Sequence, residues 1–280
     1  YKQIPNDLAK LIPKIIDFNQ SKKPFLKLEY IKYPTLAELW LYSNFSSKLW
    51  MEILENLFKI LSQFRKYPKS VSIDDYNLMY ETKTEERINE LISSNEYFKQ
   101  ILEEDVLFIN GKKYHNWPVI KKQVELKIRD LYHEHDNCLI HGDLCFSNIF
   151  CDFKDKNFKL IDPRGKWGSD MYGDLKYDVA KLRHSIVGGF DTITNGLYSA
   201  SLNQNNQITT KIFKPKNHHE ICLYLDNLIK NKWNLNEIKL IEGLLFISML
   251  PLHRDHFERQ LAFYSIGIQR LNEVLDGTHE

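Results

Sequence analysis

Three polar residues in this 280-residue chain stand at spacings that suit one kind of chemistry. Asp143 follows an apolar run in Leu139-Ile-His-Gly-Asp-Leu-Cys-Phe-Ser-Asn-Ile-Phe150, Asn148 comes five residues later, and Asp162 ends a second apolar segment in Phe158-Lys-Leu-Ile-Asp-Pro-Arg-Gly165. Phosphoryl transfer needs one carboxylate to orient a hydroxyl and accept its proton, and an amide plus a second carboxylate to hold Mg²⁺ on the nucleotide phosphates. Any one of the three is more often a turn or cap residue, because Asp and Asn favour such places. All three flanking two short strands, in this order, point to the chemistry.

The elements around them follow from periodicity. Two short apolar strands on either side of a turn carry Asn148 and Asp162. Asp174 precedes a helical pattern (Leu175, Val179, Leu182, Ile186), which makes it a helix cap. Upstream, Ile12–Asp17 and Phe25–Ile31 are expected strands, the second one buried. Pro34-Thr35 starts a helix with Leu36, Leu39, Trp40 and Tyr42. A second, from Leu49 to Leu61, has Ser46 or Ser47 as its cap. Residues 82–104 form one amphipathic helix, and Asn110-Gly111 between extended runs marks a hairpin. Trp117–His135 is helical and Ile208–Phe213 a short strand. Helices of about 218–232, 235–250 and 254–275 follow.

His-Gly-Asp with Asn148 five residues on, followed by Ile-Asp-Pro-Arg-Gly165, resembles the aminoglycoside phosphotransferase and choline kinase group, relatives of the protein kinases. Protein kinases usually have Arg where this chain has Gly142, and Asp-Phe-Gly where it has Asp162-Pro163-Arg164; both departures point to the small-molecule branch. Gly173-Asp-Leu-Lys-Tyr-Asp-Val-Ala-Lys-Leu182 extends the likeness. The resemblance implies an α+β, protein-kinase-like fold. Residues 1–33 would be a truncated remnant of the small N-lobe with the hinge, and 34–280 a larger, mainly helical C-lobe. It implies ATP or another NTP with Mg²⁺, and a small-molecule hydroxyl as acceptor. Glu29, Tyr30 and Ile31 become the hinge whose backbone meets an adenine edge. Asp178 braces the catalytic loop with Asp174 in support, and His141 is a structural member of that loop. The acceptor would lie between the loop and the C-terminal helices, where Arg164, His253, Arg254 and Asp255 are candidates. Arg164 suits an anionic group. The mixed charge of this set suits a sugar or sugar derivative, such as one bound for surface polysaccharide, better than choline or an aminoglycoside.

No Gly-rich loop, and no strand lysine followed by a helical glutamate, is identifiable before residue 12. The expectation is therefore a preceding N-terminal segment that supplies them, with a catalytically silent kinase-like binding module as the other reading. The histidines offer a rival chemistry. His253 and His256 have i,i+3 spacing, but there is no His-Glu-x-x-His, so a zinc hydrolase is disfavoured. A formal net charge of +1 gives no case for nucleic acid, no apolar run reaches the length of a membrane span, and 43% hydrophobic residues can build a substantial core. Cys138, Cys145, Cys151 and Cys222 form no C-x-x-C pair and suit buried thiols in a reducing cytoplasm.

Overall fold

The computed structural model describes residues 1–168, 170–203 and 205–277. The fold is α+β: two-stranded sheets at the N-terminal end and around the His141–Asp162 segment, one four-stranded sheet, and a larger helical body. The chain opens with an antiparallel hairpin, β1 (Ile15–Asn19) and β2 (Phe25–Leu28). Sequence analysis expects the second strand to be buried, but Phe25 and Leu26 are about half exposed. A two-stranded hairpin covers neither of its own faces. The hairpin is tied to the body by Lys159, whose ammonium meets the Glu29 carboxylate at 2.7 Å and donates to the Ile12 carbonyl at 3.0 Å.

Helix α1 (Leu36–Tyr42) starts at a reciprocal capping box. Thr35 accepts from the Glu38 N–H, and the Glu38 side chain accepts from Thr35. Ser46 caps α2 (Ser47–Phe64), whose apolar face is core. Two short helices follow, α3 (Ile73–Asn77) and α4 (Lys83–Ser94), joined by a π-type turn. The single helix expected over 82–104 is two: Asn95 ends α4 and accepts from the N–H groups of Tyr97 and Phe98 to start α5 (Glu96–Glu103). An Asn side chain satisfies the orphan donors of a new helix better than it continues an old one.

Strands β3 (Val106–Ile109) and β4 (Lys112–His115) form the Asn110-Gly111 hairpin, with both turn residues at positive φ. After α6 (Trp117–Asp130) come β5 (Asn137–Leu139), β6 (Ile149–Asp152), β7 (Asn157–Leu160) and β8 (Tyr172–Asp174), paired as β5–β8 and β6–β7. Helices α7 (Leu175–Ile186) and α8 (Phe190–Thr194) lead to β9 (Tyr198–Leu202) and β10 (Gln207–Ile212). These two join the earlier hairpin in a sheet of order β4-β3-β10-β9. Helices α9 (His218–Lys230), α10 (Leu235–Ser248) and α11 (Phe257–Leu275) complete the body, close to the expected ranges.

Helix α7 is the centre of the molecule. Every one of its residues is buried, and it packs against α10, α9, α2 and β5. Its charged residues are paired. Arg183 bonds Asp226 at 2.9 Å and also meets Glu242, while Lys176 reaches Glu237 at 3.0 Å. No helix among the described residues is long and apolar enough to cross a membrane.

Candidate active site

The loop that carries the candidate residues lies between β5 and β6, and α7 is its template. Three residues one turn apart hold it. The Asp178 carboxylate accepts from the N–H groups of His141 at 2.7 Å and Gly142 at 2.8 Å. The Lys181 ammonium meets Asp143 Oδ1 at 2.9 Å. Ser185 Oγ accepts from the Phe146 N–H at 3.0 Å. Positions i, i+3 and i+7 share one helix face, so a rigid, fully buried helix sets the loop's shape. Asp178 is the member of this set that the resemblance implies; Lys181 and Ser185 are not among the expected site residues, since a polar residue within a helical pattern carries no sign of its burial.

Gly142 has φ +77, and a Cβ there would lie 2.8 Å from Arg164 Cβ. Only glycine combines that backbone angle with so close a neighbour. His141 is buried; its Nδ1 accepts from the Asp143 N–H at 3.3 Å, and burial brings its pKa down to about 4. It therefore works as a neutral acceptor inside the loop. Burial pushes Asp178 up to about 7 despite its two backbone donors. Asp174, at the head of α7, accepts from the Lys176 N–H at 2.9 Å and from the hydroxyls of Tyr76 and Tyr80.

Asp143 is the loop's one partly open carboxylate, with 40% of its side chain exposed. Burial acts to raise its pKa, but the neighbouring Lys181 outweighs burial and holds it below the usual carboxylate value. Lys181 is shifted the opposite way: burial lowers it and the Asp143 charge raises it further, so both partners indicate an ion pair. Asn148 Nδ2 donates to the Asp143 carbonyl at 2.9 Å and to Oδ2 at 3.1 Å. The amide nitrogen is thus committed to Asp143, which leaves Oδ1 as the donor atom for a cation. The Ile161 N–H donates to the Asn148 carbonyl at 3.0 Å, which brings the end of β7, and with it Asp162, beside the loop. Asp162 is exposed, with φ +51, and its N–H donates to the Tyr1 hydroxyl at 2.9 Å.

This pair of hard oxygen donors fits Mg²⁺, which keeps most of its waters and takes only one or two protein groups. Zinc would need more. Among the described residues no three His, Cys, Asp or Glu side chains gather for a metal. His253 packs edge-on against Phe263, while His256 faces Tyr198 and Glu258, so the i,i+3 pair does not converge.

Beside β2 is an open cleft of about 610 Å³, lined by Pro13, Leu28, Phe150 and Ile161 together with the Glu29–Pro34 segment. Apolar Pro13, Leu28, Ile31, Phe150 and Ile161 share this lining with the charged Glu29, Lys32 and Glu38, a mixture of the kind found in small-molecule clefts. Of the three residues expected at the hinge, Glu29 already donates its N–H to the Lys14 carbonyl at 2.9 Å, and its side chain is held by Lys159. Tyr30 and Ile31 make no backbone hydrogen bond among the described residues.

The four candidate acceptor residues separate. The Arg164 N–H donates to the His141 carbonyl at 2.9 Å, and its guanidinium lies 3.7 Å over the Trp167 ring, beside the loop. His253 is near Lys181 only through the packed rings of Phe263 and Phe190. Arg254 and Asp255 are exposed, and Asp255 pairs with Arg259 at 3.4 Å. The N-cap position of α11 falls on His256.

No protein-family model matches this chain, and no curated protein matches it. The solved structures that are similar to it include the following two. One is an aminoglycoside-3'-phosphotransferase of type VIII, 12% identical with a TM-score of 0.40, over 95% of this chain and 75% of that one. The other is a choline kinase from Cryptosporidium parvum Iowa II, 16% identical with a TM-score of 0.41, over 96% of this chain and 73% of that one. They are the two kinds of protein that the loop motif resembles, but at these scores the likeness bears no functional weight, which falls on the side-chain geometry.

Proposed function

We propose that this chain is an ATP- and Mg²⁺-dependent phosphotransferase whose acceptor is a hydroxyl of a small molecule. The reading is carried by the Asp143–Asn148 pair, locked on α7 with one carboxylate partly open and one amide oxygen left over. In this reading residues 1–33 are part of a small lobe and 34–280 the large lobe, with the nucleotide between them. The cleft beside Tyr30 and Ile31 takes the base. Asn148 Oδ1 and Asp162 would hold Mg²⁺, which supplies charge neutralisation on the phosphates when bound. Asp143 Oδ2 hydrogen-bonds the acceptor hydroxyl. The hydroxyl oxygen forms a bond to the γ-phosphorus as the bond to the bridging oxygen breaks. The electron pair leaves with ADP and the proton passes to Asp143. A carboxylate held below its usual pKa is a weak base, so its main work is to orient the hydroxyl, in keeping with a loose transition state in which little proton transfer precedes bond breaking.

Free cysteines, three of them buried, suit a reducing compartment such as the cytoplasm. In this reading the acceptor lies beside Arg164, Trp167 and Lys83, a lining that suits a sugar derivative better than choline. Asp143→Asn in the full-length protein tests the assignment. It keeps the shape and removes the proton acceptor, and turnover should fall by about 10²–10⁴ while ATP affinity stays within about twofold. Unchanged turnover would remove Asp143 from the chemistry.

A further inference from the structure

The corner next to Asp143 holds more cations than the transfer itself requires. Trp167 and Tyr177 meet edge to face with centroids 5.2 Å apart. The Lys83 ammonium stands 4.9 Å from the Trp167 centroid and 4.8 Å from that of Tyr177, and donates to the Tyr177 hydroxyl at 3.2 Å. Arg164 covers Trp167 at 3.7 Å. Tyr177 lies one helical turn before Lys181, the partner of Asp143. Burial first, then the charges of Arg164 and Lys181, bring the Lys83 pKa well below that of a free lysine, so an anion beside it would favour its charged form. Neither Lys83 nor Arg164 has a carboxylate within salt-bridge distance among the described residues. Trp167 adds an indole N–H that is buried and has no acceptor among the described residues. It faces the catalytic loop, 3.4 Å from where a Gly142 Cβ would stand.

Ammonium, guanidinium and indole N–H are donors without acceptor capacity. The complement of such a surface is a group that only accepts. A neutral hydroxyl both donates and accepts, and a cationic amine or choline headgroup would be repelled. A phosphate or carboxylate can accept from donors of each of these kinds and relieves the repulsion between the cations.

Resting on the phosphotransferase reading, we propose that the acceptor carries an anionic group, a phosphate or a carboxylate, beside its reactive hydroxyl, and that Lys83, Arg164 and the Trp167 N–H bind it. Lys181 then has two tasks: it anchors Asp143 and adds to the field that draws the anion toward the loop. The rival use of the same cations is the donor's own triphosphate.

The test is titration calorimetry on the full-length protein with matched sets: a hexose, its phosphate and its uronic acid; glycerol, glycerol phosphate and glycerate; with choline and an aminoglycoside as cations. Transfer from ATP and Mg-ATP binding are measured in parallel. At least one anionic member should bind about tenfold or more tighter than its neutral counterpart, the size of one or two charge-assisted hydrogen bonds. Whether the phosphate or the carboxylate member wins identifies the anion. Lys83→Met and Arg164→Met should each erase most of that preference and leave Mg-ATP binding in place. Arg164 is exposed, so its variant tests the site without endangering the fold. Equal binding of neutral and anionic members, no binding of either, or preference for the cations would overturn the inference. So would variants that weaken Mg-ATP and spare the acceptor. Loss of Mg-ATP binding and of transfer in the wild-type protein would instead overturn the phosphotransferase reading, a separate result.

Discussion

The contact between Lys181 and Asp143 decides how the loop's carboxylate behaves. Held at 2.9 Å by an ammonium on a rigid helix and at 3.1 Å by Asn148, Asp143 has both oxygens fixed and its charge kept. Lys181 is a positioning residue, and Lys181→Met should lower kcat by about ten- to a hundredfold through misplacement of the carboxylate, with KM for ATP little changed. Lys181→Arg should recover part of it. Equal losses in kcat and nucleotide binding, or no rescue, would reduce the lysine to a fold-stabilising role. Asp178→Ala is expected to act differently. It strands two buried N–H groups, at about 1–3 kcal/mol each, so the melting temperature should drop along with activity. The order of Asp143, Asn148 and Asp162 about two short strands was legible in the sequence because both strands show as apolar runs. Lys181 was not, because a lysine inside a helical pattern reads as solvent-facing until the burial of the whole helix is known.

Helix α7 shows why local periodicity has limits. Its apolar stripe of Leu175, Val179, Leu182 and Ile186 was readable, and it predicts a polar, exposed opposite face. Instead the other face is buried too, because Arg183 and Lys176 find carboxylates that lie far along the chain. His184 has no such partner. It is stacked between Phe190 and Phe246, both at 4.4 Å, and neither ring nitrogen has a hydrogen bond among the described residues. Burial first, then the charges of Lys181 on its own helix and of His253 from the turn before α11, hold its pKa well below that of a free histidine. The sign follows from linkage: the unfolded chain takes up a proton near pH 6.5 that the folded one refuses, so this stability is present above pH 6.5 and is lost as pH falls. His184→Phe should remove that component, and its denaturant midpoint should decline less between pH 7.5 and pH 5 than that of the wild type. Parallel declines would mean that the ring is protonated in the folded state. The break at Asn95 was hidden for a related reason: both of its flanking segments have helical periodicity, and only the cap bonds reveal two helices.

At the scale of the whole molecule, the hairpin, the cleft and the catalytic loop lie along one line of contact. Lys159 on β7 fastens the hairpin, Phe150 and Ile161 floor the cleft, and Asn148 and Asp162 come at the ends of those same strands. A nucleotide bridging base site and metal pair would therefore touch both parts of the molecule. The strands that do this were readable from apolar runs, whereas the openness of the hairpin was not, since exposure depends on what covers a strand and not on its own residues. The expected consequence is measurable by hydrogen exchange. The amides of Tyr30, 91% exposed, and Ile31 have no intrachain acceptor among the described residues and should exchange fast in the free protein. Adenosine at saturation should slow one or both, because the base alone reaches the hinge. Mg-ATP should protect them further and, at about a hundred times its dissociation constant, raise stability by about 2.7 kcal/mol. In Asp162→Ala the adenosine effect should survive and the added gain from Mg²⁺ should vanish, because the two depend on different ends of the cleft. Fast exchange at Tyr30 and Ile31 under saturating adenosine would move the base site away from this segment, and an undiminished Mg²⁺ gain in the variant would take Asp162 out of the metal pair.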